Sequence, residues 1–161
     1  MLRIKFFILF YPSHLKKHFY FIILWQMKLT LVILAAGMGS RYGGLKQLDT
    51  FGTGEHTLME YSVFDAKKAG FEKVVFVIRK DFETEFKSRI GSRIEQEMEV
   101  SYAFQDMHEL PAGFICPSTR EKPWGTGHAV YSARDNISGA FAVINADDLY
   151  GREAFEKMHE F

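Results

Sequence analysis

Apolar and polar positions along this chain fall into runs whose period switches back and forth between that of a strand and that of a helix. Leu29–Ala35 is an apolar run, the pattern of a strand covered on both faces. Thr57 with Glu60 forms a capping box, which predicts a helix from there to Gly70, a residue suited to the C′ position. Lys73–Arg79 (KVVFVIR) is a second β-branched, apolar strand. Phe82, Phe86 and Ile90 recur every four residues, so Asp81–Ile94 reads as a helix with one apolar stripe. Glu97–Gln105 alternates as a third strand, Gly125–Asn136 reads as a helix, Ala140–Ala146 as a fourth strand and Gly151–Phe161 as a last helix. Between them, Asp106–Pro123 has no period and holds three of the four prolines. Loops of that length are functional or mobile.

Strands separated by helices imply βαβ units with right-handed crossovers. The expected fold class is therefore α/β: a mainly parallel, Rossmann-like sheet flanked by helices. Ligands of such open sheets bind beyond the carboxyl ends of the strands. Three polar segments fall there: Gly37–Lys46 after the first strand, Gln105 at the end of the third, and Asp147 with Asp148 after the fourth.

Composition narrows the reading without directing it. A chain of 161 residues fits one domain, and a domain of that size buries about 70% of its unfolded surface. The apolar fraction of 47% and the charged fraction of 25% are those of a soluble globular protein. Twenty basic residues balance twenty acidic ones, so nothing points to a nucleic-acid partner. A single Cys116 excludes an intramolecular disulfide and a Cys-rich zinc site, and a reducing, cytoplasmic setting is the default. The six histidines show no metal spacing, no Ser/His/Asp arrangement stands out, and His128 reads as a solvated or packed side chain.

Residues 1–26 form a separate segment, basic and dense in Phe, Tyr and Trp, ahead of a domain over 27–161. Its two apolar runs are too short to span a bilayer, and it has no signal-peptide pattern. Two readings of it stay open: the natural chain starts at Met27, or the segment makes membrane contact as a surface anchor.

The chemistry begins at "ILAAGMGSRYGGLK", residues 33–46. A strand-to-helix turn needs one glycine, whereas this stretch has Gly37, Gly39, Gly43 and Gly44, with Arg41 and Lys46 among them. A glycine-rich backbone with two cations suits a phosphate better than a plain loop with solvated charges. It is neither familiar phosphate loop. The dinucleotide fingerprint fails at Tyr42, and Gly44 is followed by Leu45, Lys46 and Gln47 rather than Lys and Ser/Thr.

This stretch resembles the signature loop, L-A-A-G-x-G-x-R followed by a Lys, of the nucleotidyltransferases that activate sugar phosphates (the NDP-sugar pyrophosphorylases, with a GT-A-like fold). The resemblance implies that Leu34, Ala35, Ala36, Gly37, Gly39 and Ser40 wrap a nucleoside triphosphate, while Arg41 and Lys46 contact the phosphates that leave as pyrophosphate. "WGTGHAV" is similar to the family's Gly-Thr-x-x-Ala segment, putting Gly125 and Thr126 at the nucleotide. Gln105 resembles the glutamine that hydrogen-bonds the base. "VINADDLYG" is similar to the strand end whose Asp binds the catalytic Mg²⁺, with Asp147 aligned as ligand and Asp148 as its neighbour. One or two carboxylates plus phosphate oxygens suit that hard cation.

The reaction implied is attack by a sugar 1-phosphate on the α-phosphorus of a nucleoside triphosphate. Its nucleophile is already an anion, which accounts for the lack of a triad. A cytidylyl- or guanylyltransferase with a non-sugar acceptor, and a non-catalytic nucleotide-binding module, are the alternatives. The resemblance covers Lys28 to about Gly151, the nucleotide-binding half of the family fold, so the expectation is a truncated chain with the sugar-binding half missing.

Overall fold

The computed structural model describes residues 28–37 and 56–160. The expected sites at Gly39, Ser40, Arg41 and Lys46, and the segment 1–26, lie outside the described residues. Four parallel strands form the sheet: β1 (Thr30–Leu34), β2 (Lys73–Ile78), β3 (Glu99–Phe104) and β4 (Phe141–Asn145), in the order β3-β2-β1-β4. The helices are α1 (Leu58–Lys68), a helical stretch α2 over residues 80–94, α3 (Thr126–Ser132) and α4 (Arg152–Glu160).

The side-chain alternation of the strands divides the core in two. Leu31, Ile33, Val74, Phe76, Ile78 and Ile144 face one side, where Met59 and Val63 of α1, Phe86 and Ile90 of α2, and Phe155 and Met158 of α4 cover them. Val32, Val75, Val77 and Ala103 face the other, against Ala129 and Ala133 at α3. The second layer is made of small side chains, the kind that lets a helix lie close to a sheet. Phe76 is fully buried, meeting Phe86 at 5.0 Å between ring centroids, and burying a side chain of that size contributes about 2–3 kcal/mol. From β1 to β3 the chain steps one way across the sheet with α1 and α2 on one face; from β3 to β4 it steps back with α3 on the other. Right-handed crossovers require that change of face.

Both ends of α1 form as the sequence predicts. The Thr57 backbone N–H donates to Glu60 Oε2 at 2.7 Å, and the Glu60 N–H donates to Thr57 Oγ1 at 3.4 Å. At the other end the Phe71 N–H reaches the Ala66 oxygen at 3.0 Å and the Gly70 N–H reaches Lys67 at 3.1 Å. This is a Schellman closure, with Gly70 left-handed at φ +99°. Arg93 extends from α2 to the capped end, its Nε 3.0 Å from Glu60 Oε1.

Two predicted helices differ in detail. Residues 80–94 pass from a 3₁₀ turn (Lys80–Phe82) through an α turn (Glu83–Phe86) and a π turn (Lys87–Gly91) to a last α turn (Ser92–Ile94). The π turn places Gly91 against β3, where a Cβ would stand 2.1 Å from the Tyr102 hydroxyl. The helix expected over Gly125–Asn136 is α through Ser132 and 3₁₀ over Arg134–Asn136. Asp135 and Asn136 are residues whose side chains compete with helical hydrogen bonds.

Candidate active site

At the carboxyl edge the ladder runs one residue past the strands. Ala35 N–H donates to the Val77 oxygen at 2.8 Å, Gln105 N–H to Ile78 at 3.0 Å and Ala146 N–H to Leu34 at 3.3 Å. Three segments are thus fixed in the frame of the sheet before they turn away, and they are the segments the sequence nominated. The direction of winding reverses between β1 and β4, which is where an open α/β sheet leaves a crevice. Leu34, Ala35 and Ala36 lead toward it from β1, with Ala35 and Ala36 buried in the two core clusters, and a Cβ added at Gly37 would meet no described atom within 4 Å. Gln105 after β3 and Asp147 after β4 lie three strand spacings apart, about 14 Å at ~4.8 Å each.

The Gln105 side chain organises the far end. Its Nε2 donates to the Trp124 oxygen at 2.9 Å, lies 3.4 Å from the Gly125 oxygen and faces His128 Nδ1 at 3.3 Å. His128 Nε2 is 2.8 Å from the Glu109 carbonyl oxygen. A carbonyl only accepts, so the proton sits on Nε2, and Nδ1 is left to accept from Gln105. Trp124 Nε1 donates to the Met107 oxygen at 2.9 Å, and the Arg120 guanidinium stacks 3.4 Å above the Trp124 ring centroid. The long loop over residues 106–123 is therefore tied to the start of α3 by side chains. His128, which the sequence left as solvated or packed, is one of those ties. Gln105 Oε1 keeps no hydrogen-bond partner among the described residues.

Gly125 caps α3 with extended backbone, φ −70° and ψ −171°. The next two residues, Thr126 and Gly127, are exposed, and their N–H groups have no partner among the described residues. Gly125, Thr126 and Gln105 come together here.

At the other end Asp147 and Asp148 are both exposed but differ in their bonding. Asp148 Oδ2 accepts from Asn145 Nδ2 at 2.9 Å and from the Tyr150 hydroxyl at 3.3 Å. Burial pushes the Tyr150 hydroxyl above its ordinary pKa, so it stays a donor at neutral pH. Asp147 has no hydrogen bond or ion pair among the described residues. No group of three or more metal-ligating side chains occurs among the described residues. A lone exposed carboxylate at a strand end does fit Mg²⁺, which takes one or two carboxylates together with phosphate oxygens and water. Nothing in the sequence marked Asn145, Trp124 or Tyr150, because each acts through a contact set by the fold.

The nucleotidyl transferase family model matches residues 30–161. The chain belongs to the nucleotidyl transferase family. Its fold is shared with a crystal structure of UDP-glucose pyrophosphorylase complexed with UDP-glucose, at 22% identity and TM-score 0.56, covering 83% of this chain and 53% of that one. It is also shared with a putative glucose-1-phosphate thymidylyltransferase from Bacillus anthracis in complex with a sucrose, at 19% identity and TM-score 0.57, covering 82% and 50%. A third structure, Rv0371c from Mycobacterium tuberculosis H37Rv, matches at 15% identity and TM-score 0.56, covering 83% and 60%. At these identities the structures show the fold alone. This nucleotidyl transferase chain spans between half and 60% of the length of those neighbours. No curated protein matches it. Among the described residues no helix is long and apolar enough to cross a membrane.

Proposed function

We infer that this chain binds a nucleoside triphosphate at the carboxyl edge of its sheet and takes part in nucleotidyl transfer to a sugar 1-phosphate, giving an NDP-sugar and pyrophosphate. One observation carries the reading: Gly37, Gln105 and Asp147, distant in sequence, emerge together at the edge where the strand order reverses. Their spread of about 14 Å suits an extended nucleotide, base at Gln105 and phosphates toward β1 and β4.

In this reading Gln105 and the exposed N–H groups of Thr126 and Gly127 receive the base and ribose. Because the Gln105 amine is engaged by main-chain oxygens, the atom it offers is Oε1, an acceptor. An acceptor there pairs with a donor on the base, a ring N–H of uracil, thymine or guanine or an exocyclic amine of cytosine or adenine, so it orients the base without choosing it. The loop of Gly39, Ser40, Arg41 and Lys46 holds the β- and γ-phosphates. A sugar phosphate oxygen forms a bond to the α-phosphorus as the bond to the β-phosphate oxygen breaks, and pyrophosphate departs with the electron pair. Arg41 and Lys46 neutralise the charge that builds on it. Asp147 would hold Mg²⁺, which when bound supplies positive charge to the phosphate oxygens. A cytoplasmic setting, where nucleoside triphosphates are supplied, goes with this reading.

The test is thermal stability of the chain with UTP, dTTP, GTP, CTP and ATP, each with and without Mg²⁺. A ligand at a hundredfold its dissociation constant adds about 2.7 kcal/mol. The expected result is a Mg²⁺-dependent shift with at least one of the triphosphates that Lys46→Ala removes. A folded chain indifferent to all five triphosphates overturns the assignment.

A further inference from the structure

β4 is an edge strand among the described residues, and its N–H groups point alternately toward β1 and away from it. Ala146 N–H goes to β1, so the N–H of Asn145 points outward, where a sheet edge would leave it unpaired. Tyr150 fills that role: its hydroxyl accepts from the Asn145 N–H at 3.0 Å. The same hydroxyl donates to Asp148 Oδ2, which also takes the Asn145 side-chain amide. Asn145, Asp148 and Tyr150 thus close a ring around the turn that carries Asp147. Gly151, left-handed at φ +77°, lets the chain turn into α4 directly after Tyr150. The Tyr150 ring packs on the fully buried Phe155 of α4, with centroids 6.2 Å apart. The turn is therefore anchored to the core by its aromatic ring and to β4 by its hydroxyl.

The two adjacent carboxylates consequently differ in kind. Asp148 is a component of the turn, with one oxygen already accepting two hydrogen bonds. Asp147 projects from a turn held by these bonds, and neither of its oxygens has a hydrogen-bond partner among the described residues. We propose that Tyr150, through Asp148 and Asn145, is a positioning residue that holds the Asp147 carboxylate in place for a divalent cation shared with the triphosphate, and that Asp148 is not itself a ligand. The inference rests on the reading of Asp147 as the cation's carboxylate. A ligand fixed before the cation arrives loses less conformational freedom on binding, and partners behind a metal ligand typically contribute 10- to 100-fold in metal affinity.

The test uses the full chain with inorganic tripolyphosphate, a probe without a base, measured with EDTA and again as its Mn²⁺ complex by electron paramagnetic resonance. The ratio of the two affinities isolates what the cation adds. Wild type should bind the Mn²⁺ complex more tightly, and Asp147→Asn should erase that gain. Tyr150→Phe, which keeps the ring on Phe155, and the exposed Asp148→Asn should each cut the gain about tenfold while leaving metal-free affinity unchanged. A full gain in both Tyr150→Phe and Asp148→Asn overturns the positioning role and leaves the site reading intact. Equal weakening of both affinities in Tyr150→Phe reduces the ring to a structural part and also overturns it. Loss of the whole gain in Asp148→Asn makes Asp148 a ligand, against the proposal. A gain that survives Asp147→Asn, or no binding of either form, refutes the site reading together with the inference.

Discussion

Gln105 Nε2 lies 2.9 Å from the main-chain oxygen of Trp124, so the end of β3 is bonded to the residue just before the cap of α3. The bond spans the whole proline-rich loop, and His128 adds a second tie by bonding Gln105 on one ring nitrogen and Glu109 on the other. Gln105→Ala should cost about 1–2 kcal/mol, the value of one or two hydrogen bonds with a partner left unsatisfied. Gln105→Glu should cost more, because a carboxylate would face carbonyl oxygens. Urea denaturation reads the stability, and protease cleavage within residues 106–123 should rise in both variants. A loop equally resistant in all three proteins would show that Gln105 does not hold it.

Gly91→Ala is the strongest single test of the π turn. A Cβ there would come within 2.1 Å of the Tyr102 hydroxyl, a contact that forces either the helix or the ring to move. Overpacking of that kind costs about 1–3 kcal/mol. Removing the hydroxyl relieves only part of the clash, since the ring carbon behind it would stand at 3.2 Å. Gly91→Ala with Tyr102→Phe should therefore recover some, not all, of the loss in a double-mutant cycle. Strict additivity of the two changes would mean that the helix shifts instead.

The strands were legible because a parallel sheet buried on both faces needs unbroken apolar runs, and Leu31–Ile33 and Val74–Ile78 have no polar position to confuse the pattern. The capping box at Thr57 and the glycine at position 70 were legible because their chemistry is local. What escaped depends on registry between distant segments. The π turn at Gly91 answers a tyrosine on β3, and the amide of Gln105 answers a carbonyl nineteen positions on. The difference in bonding between Asp147 and Asp148 had no signal in the sequence. It arises because Tyr150 returns to the edge of β4, which only the turn geometry reveals.

Gly70→Ala tests the Schellman closure. Gly70 has φ +99°, and an added Cβ would stand 3.0 Å from His159 Nε2 of α4. A left-handed conformation costs an L-residue about 1–2 kcal/mol, and the imidazole must also shift. The expected loss is about 2 kcal/mol, read as an earlier urea midpoint with unchanged slope. A stability within error of wild type would place the closure outside the structure that unfolds cooperatively.

The pH dependence should have two limbs with different salt sensitivity. A hydrogen bond from Lys28 holds Glu99 below the ordinary carboxylate range, and Lys80 and Lys87 do the same for Glu83. A depressed carboxylate stabilises the fold above its unfolded pKa, and that contribution disappears as pH falls through the folded value. The acid limb should therefore begin near pH 4–5. These pairs are exposed, so 0.5 M NaCl should flatten it. Burial, aided by the hydrogen bond to Glu95, raises the Tyr102 hydroxyl above the ordinary tyrosine value of 10.0. A raised acid stabilises the fold below its unfolded pKa, and above about pH 10 the unfolded chain gives up a proton that the folded one retains. Stability should fall on that side too, with less response to salt because desolvation is the first cause. Tyr102→Phe should shallow the alkaline limb and leave the acid limb unchanged. Melting temperatures from pH 3 to 11 at two salt concentrations decide it, and an alkaline limb identical in Tyr102→Phe would assign that loss to other groups.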